Sequence, residues 1–205
     1  MTREYVDPYR MKARQSFTGI RLTFSQFDEA WSLAGILNRE IHKSGSFREK
    51  LTDYAHVFAR SEKFDAMRGE NILRDIYSAR HGESLNKTRE GLMERESVLR
   101  DAGGDQALHH AHMVETLIQD GPTMPFYRAY DISAVEMARQ HGITENGAKV
   151  MMKEAYREAN GRDLYETGKA LEAQHHKPVR EAENAARKAE RQTHARSAPQ
   201  MHKVQ

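Results

Sequence analysis

The sequence has no cysteine, and its 205 residues include only one tryptophan and five prolines. Without thiols there can be no disulfide scaffold, thiolate zinc finger, iron–sulfur centre or thiol nucleophile. No apolar run approaches the roughly 18 residues a membrane-spanning helix needs, so no membrane partner is expected. The opening stretch MTREYVDPYRMKAR lacks the apolar segment of a secretory signal, which makes a cytoplasmic location the expectation. Familiar catalytic loops are missing too: there is no G-x-S-x-G, Walker loop or Rossmann glycine set, and no HExxH zinc signature. Strand-like alternation is confined to FTGIRLTF at Phe17–Phe24. A lone strand cannot make a sheet, so residues 1–24 read as an extended lead-in that packs Phe17, Ile20, Leu22 and Phe24 on a helical body.

What is present is helical pattern and charge. Apolar residues make up 38% and charged residues 30%, with a formal net charge of +2. That apolar share is below the roughly 45–50% of ordinary globular domains, which points to a core plus a solvated segment. The charge is uneven: Lys177–Gln205 holds seven basic and three acidic residues, whereas the rest of the chain is close to neutral.

Helical periodicity and stop signals divide the chain. Residues 25–120 are expected to form a helical bundle. Ser25 is read as the cap of a helix with Phe27, Trp31, Ala34, Leu37 and Ile41 inward. Ser46 with Glu49 reads as a capping box, followed by Leu51, Tyr54, Ala55 and Phe58. Ser61 is read as the next cap, with Phe64, Met67, Ile72, Leu73, Ile76 and Tyr77 inward. Ser84 and Asp105 are read as opening the two helices after that. The Gly121–Pro125 segment, with two prolines that lack amide donors, reads as a boundary. Residues 126–177 are expected to hold three helices, near 132–141, 144–160 and 164–176. Residues 178–205 read as a basic tail, helical by propensity but without a large apolar face, and disordered over the last dozen residues. The expected fold is therefore all-α: an N-terminal bundle, a three-helix unit and a basic, partly disordered tail.

The segment from Ala134 to Lys153 has the layout of a helix–turn–helix: small Ala138 at the crossing, Gly142 in the turn, and Met137, Ile143, Ala148 and Met151 inward. Thr144 is placed to cap the second helix. On that helix Asn146, Lys149 and Lys153 share the face opposite the apolar one. Asn pairs well with adenine, and Lys with guanine or phosphate, when such a helix enters the major groove. Arg139 and the tail residues Arg180, Arg187, Lys188 and Arg191 would then hold the phosphate backbone.

Metal chemistry is a weaker reading. His109, His112 and Glu115 recur every three residues along one side of a helix, and imidazole with carboxylate suits zinc, but a fourth ligand is wanting. The expectation is thus a non-enzymatic protein without a cofactor that binds duplex DNA, either a transcriptional regulator or an accessory DNA-processing factor. Its N-terminal bundle would dimerise or bind another protein. The alternative is an all-helical adaptor or scaffold with no nucleic-acid role, and the third reading is a metal-dependent hydrolase.

Overall fold

A computed structural model describes residues 22–121 and 123–197. Among them are eight helices and no strand: α1 (Phe24–Ser44), α2 (Arg48–Glu62), α3 (Ala66–His81), α4 (Leu85–Asp101), α5 (Asp105–Asp120), α6 (Phe126–His141), α7 (Glu145–Asn160) and α8 (Leu164–Ser197). The all-α expectation holds. Phe17 and Ile20 of the expected lead-in, and the chain beyond Ser197, lie outside the described residues.

The apolar stripes became the core of the first bundle. Phe27, Trp31, Leu37 and Ile41 of α1 meet Leu51 and Phe58 of α2, Ile72, Leu73, Ile76 and Tyr77 of α3, and Leu85 and Leu92 of α4. Trp31 is a core residue, stacked on Phe27 with ring centroids 5.5 Å apart. Leu22 packs against this cluster, whereas Phe24 opens α1 and is largely exposed. Met67, expected inward, is 74% exposed because the apolar stripe of α3 starts only at Ile72. Tyr77 is buried with its hydroxyl 2.8 Å from Asn38 Oδ1 and 3.1 Å from Thr88 Oγ1, so its polar end is satisfied. The helices α2 and α3 pack closely at Gly69, where a Cβ would stand 2.8 Å from the Ala55 carbonyl oxygen.

Several caps stand one to four residues from the expected ones. Thr23, not Ser25, caps α1, in a reciprocal box with Gln26. The Ser46–Glu49 box does not form, since Phe47 takes the cap position of α2 without a side-chain acceptor. Ser61 stays inside α2, donating to the Phe58 carbonyl, and Asp65 caps α3 instead. Ser84 caps α4 as read. The cap of α5 is Gly104, so Asp105 is its first residue rather than its cap. α6 starts at Phe126, earlier than the sequence suggests, and so includes an aromatic first turn. α8 runs on through Pro178 into the alanine-rich tail, whose propensity sustains a helix that the proline's missing amide only interrupts locally.

The chain divides into two compact units. One comprises α1 to α4 with Val135–Ala148, which holds the corner between α6 and α7; the other comprises Gly104–Ala134 with the chain from Lys149 onward. The second unit thus takes in α5 and the Gly121–Pro125 segment, where the sequence suggested a boundary. Within the first unit the corner is tightly made. Gly142 is left-handed at φ 63°, and the Ile143 amide donates to the Ala138 carbonyl at 3.1 Å, which is the Schellman closure of a helix end. Ala138, Ile143 and Ala148 are buried, as the hairpin pattern requires.

Candidate docking cleft

In the second unit, the first turns of α6, the middle of α7 and the start of α8 enclose an open cleft of about 380 Å³. Its walls are Phe126, Tyr127, Tyr130 and Asp131 from α6, Lys149 and Lys153 from α7, and Leu164 and Tyr165 from α8. Spacing explains the set. Tyr127, Tyr130 and Asp131 lie three and four residues apart, hence on one side of α6, and Lys149 and Lys153 are i and i+4 on α7. Asp163 starts α8 by accepting from the Tyr165 amide at 2.8 Å, and this fixes where Leu164 and Tyr165 emerge.

Phe126 anchors the cleft. It is 1% exposed, stacks on Tyr130 at 5.5 Å and meets Tyr165 edge-on at 5.4 Å. Its backbone amide donates to Glu172 Oε2 at 3.0 Å, and Lys169 Nζ lies 2.8 Å from the same oxygen. Those two donors, Lys169 first, hold the Glu172 carboxyl below its ordinary value. Gly168 of α8 passes against the Phe126 ring, leaving no room for a side chain there.

The polar groups of the cleft are largely spoken for. Tyr127 donates to the Tyr165 hydroxyl at 3.0 Å, and Tyr130 donates to the Lys149 carbonyl at 2.7 Å. Burial, with the Asp163 and Asp131 carboxylates, pushes the Tyr130 phenol up to about 12, so it stays a neutral donor at physiological pH. Lys149 Nζ sits 2.5 Å from Asp131 Oδ1 and 5.9 Å from the Tyr130 ring centroid. Lys153 Nζ sits 3.3 Å from Asp163 Oδ2. Burial would raise the Asp163 carboxyl, yet the Tyr165 amide and Lys153 hold it below its ordinary value. Tyr127 and Tyr165 remain about half exposed, so the rim offers ring faces and hydroxyls to solvent.

The residues the sequence nominated are brought together only in part. Asn146 is exposed on the first turn of α7. Thr144 is not available to a phosphate: it is 2% exposed, and its hydroxyl bonds Glu96 and accepts from the Gly147 amide. Lys149 and Lys153 line the cleft with carboxylate partners rather than standing as unpaired cations. Arg139 is 71% exposed at its side chain and pairs with Glu136 at 2.7 Å. Arg187 and Lys188 are exposed on α8, while the side chains of Arg180 and Arg191 lie outside the described atoms. His112 Nδ1 lies 2.9 Å from Glu115 Oε2, but the other Glu115 oxygen accepts from Tyr156 at 2.5 Å, and His109 is edge-on to His110. No group of three or more His, Asp or Glu is placed to hold a metal among the described residues. The aromatic rim (Tyr127, Tyr130, Tyr165) went unread in the sequence, although the FYRAYD run, with tyrosines three apart, was the available signal.

Comparison with protein-family models, with curated proteins and with solved structures finds no match for this chain.

Proposed function

We propose that the chain is a non-enzymatic docking protein of the adaptor type, which takes an apolar or aromatic side chain of a partner polypeptide into the α6–α7–α8 cleft. The observation behind this reading is the tyrosine rim over a buried Phe126, with each flanking lysine already matched to a carboxylate. A neutral, ring-lined cleft suits an apolar side chain, and the Tyr127 and Tyr165 hydroxyls and the Lys153 ammonium suit the carbonyls of the backbone that bears it. Tyrosines are efficient docking surfaces because they offer large ring area at small entropic cost. Charge supports the same reading: up to His176, the second unit holds six basic and nine acidic residues, a balance that repels a nucleic-acid backbone.

A second reading keeps DNA, but at another place. Arg187 and Lys188 are exposed on the distal part of α8, and a basic helix of this kind neutralises phosphates without reading bases.

Selection of displayed peptides on the full chain tests the docking proposal. Enriched peptides should carry an apolar or aromatic anchor and lose about tenfold or more in affinity, or some 1.4 kcal/mol, on Tyr165→Ala or Tyr127→Ala, with helicity unchanged. Enrichment only of peptides indifferent to both substitutions would refute it.

A further inference from the structure

A second cavity lies in the first unit, at the junction of α1, α2 and α4, and nothing in the docking proposal uses it. It is an open cleft of about 420 Å³ whose polar and charged lining residues include Arg48, Arg89, Ser46 and Asn86. Its apolar lining comes from Phe47 and Met93, and no carboxylate lines it. Some other cations of the chain stand beside anions, as at Arg74–Glu70, Arg139–Glu136 and Lys149–Asp131. The guanidinium of Arg89 is aimed by the fold, because its Nε donates to the Gly45 carbonyl at 3.0 Å. That bond leaves the two Nη groups to serve a ligand. Gly45 is the left-handed stop of α1, at φ 70°, so the carbonyl that orients Arg89 is fixed by a helix end. The cavity and its two arginines make the site. The start of α2 adds to it, since Phe47 in the cap position has no side-chain acceptor for the first amides.

We infer that this cleft binds the phosphate group of a small soluble phosphomonoester. Arg48 and Arg89 would grip the dianion by charge-assisted hydrogen bonds, and Ser46 and Asn86 would complete its donors. A dianion is favoured over a monoanion because two arginines and no carboxylate line the cleft.

Titration calorimetry of the full chain at constant ionic strength tests the inference, with inorganic phosphate, glycerol phosphate and, as the monoanion control, chloride. Phosphate and the monoester should bind saturably and raise the unfolding temperature, as any ligand of the native state does. Both effects should fall by about tenfold or more in Arg48→Gln/Arg89→Gln, two surface substitutions that leave the core untouched. Lys43→Gln, a charge removed outside the cleft, should change affinity by less than about twofold. A monoester that binds better than inorganic phosphate identifies the small-molecule source, and equal binding identifies phosphate itself as the ligand, contradicting the monoester assignment. Equal losses in the Lys43 and arginine variants, or no saturable binding, would overturn the site.

Discussion

The Glu96 carboxylate of α4 accepts from the Thr144 amide at 2.9 Å and from the Thr144 hydroxyl, which in turn accepts from the Gly147 amide at 2.9 Å. An internal carboxylate therefore occupies the place where the start of a recognition helix would meet a phosphate. Arg95, its neighbour on α4, donates to the Gly142 carbonyl at 2.6 Å, so consecutive residues hold both sides of the corner. This clamp rigidifies the helical hairpin and removes Thr144 from any outside ligand.

Gly147 gives the clamp a test of sign. Replacing a helical glycine by alanine ordinarily stabilises by up to about 1 kcal/mol. Here the new Cβ would collide with the Glu96 carboxylate, which cannot withdraw without losing its bonds to Thr144. Charge-assisted hydrogen bonds contribute about 1.5–3 kcal/mol, so Gly147→Ala should destabilise by about 1 kcal/mol. Urea unfolding measures it. In a Glu96→Ala background the same substitution should become stabilising, and destabilisation in both backgrounds would mean that Glu96 is not the obstacle.

Phe126 and Gly168 set the floor of the cleft in the same manner. Gly168→Ala overpacks the site and should cost about 1–3 kcal/mol. Phe126→Ala empties it and should cost about 3–5 kcal/mol. Thermal unfolding separates the two, and a neutral Gly168→Ala would show that α8 can move away from the ring without loss.

His81 predicts a pH dependence. Burial, then the Arg80 guanidinium, lowers its pKa against a backbone hydrogen bond at Ala34; His42 and Glu83 also face it, and its ring lies 4.6 Å from Tyr77. A lowered histidine pKa means the unfolded chain takes up the proton first. Stability from this group is therefore intact above about pH 6.5 and falls as the pH drops from there towards the folded value. Chemical unfolding at about pH 7.5 and about pH 5.5 should show a wild-type loss that His81→Gln reduces. An identical loss in the variant would assign the acid sensitivity to other groups.

Much of the fold was legible because burial follows periodicity. The stripe from Phe27 to Ile41, the Ser84 and Thr144 caps and the Gly142 corner all stand where local pattern put them. The caps of α1 and α2 fall one or two residues from the expected Ser25 and Ser46, since Thr23 is as good an acceptor as Ser25 and Phe47 holds its cap position with no side-chain acceptor at all, so the chain path and not the residue type decides. Glu96 was invisible as a clamp, because 48 residues separate it from Thr144 and no local rule spans that distance. The cleft was missed for a related reason. Starting α6 at Ile132 left Phe126, Tyr127 and Tyr130 outside any helix, so their shared face never appeared. Lys149 and Lys153 were correctly placed together on one face, but their partners Asp131 and Asp163 come from other elements.

In the docking proposal the α7 lysines serve a cleft of their own unit and do not read a duplex. Fluorescence anisotropy with a labelled duplex, at about 50 and 200 mM salt, separates this from groove reading by comparing wild type with Lys149→Gln/Lys153→Gln and with Arg187→Gln/Lys188→Gln. Any duplex affinity should be strongly salt-dependent, unchanged within about twofold by the α7 pair and reduced by the α8 pair. A loss of about tenfold or more on changing the α7 pair alone, retained at the higher salt, would contradict the docking account and return α7 to the major groove.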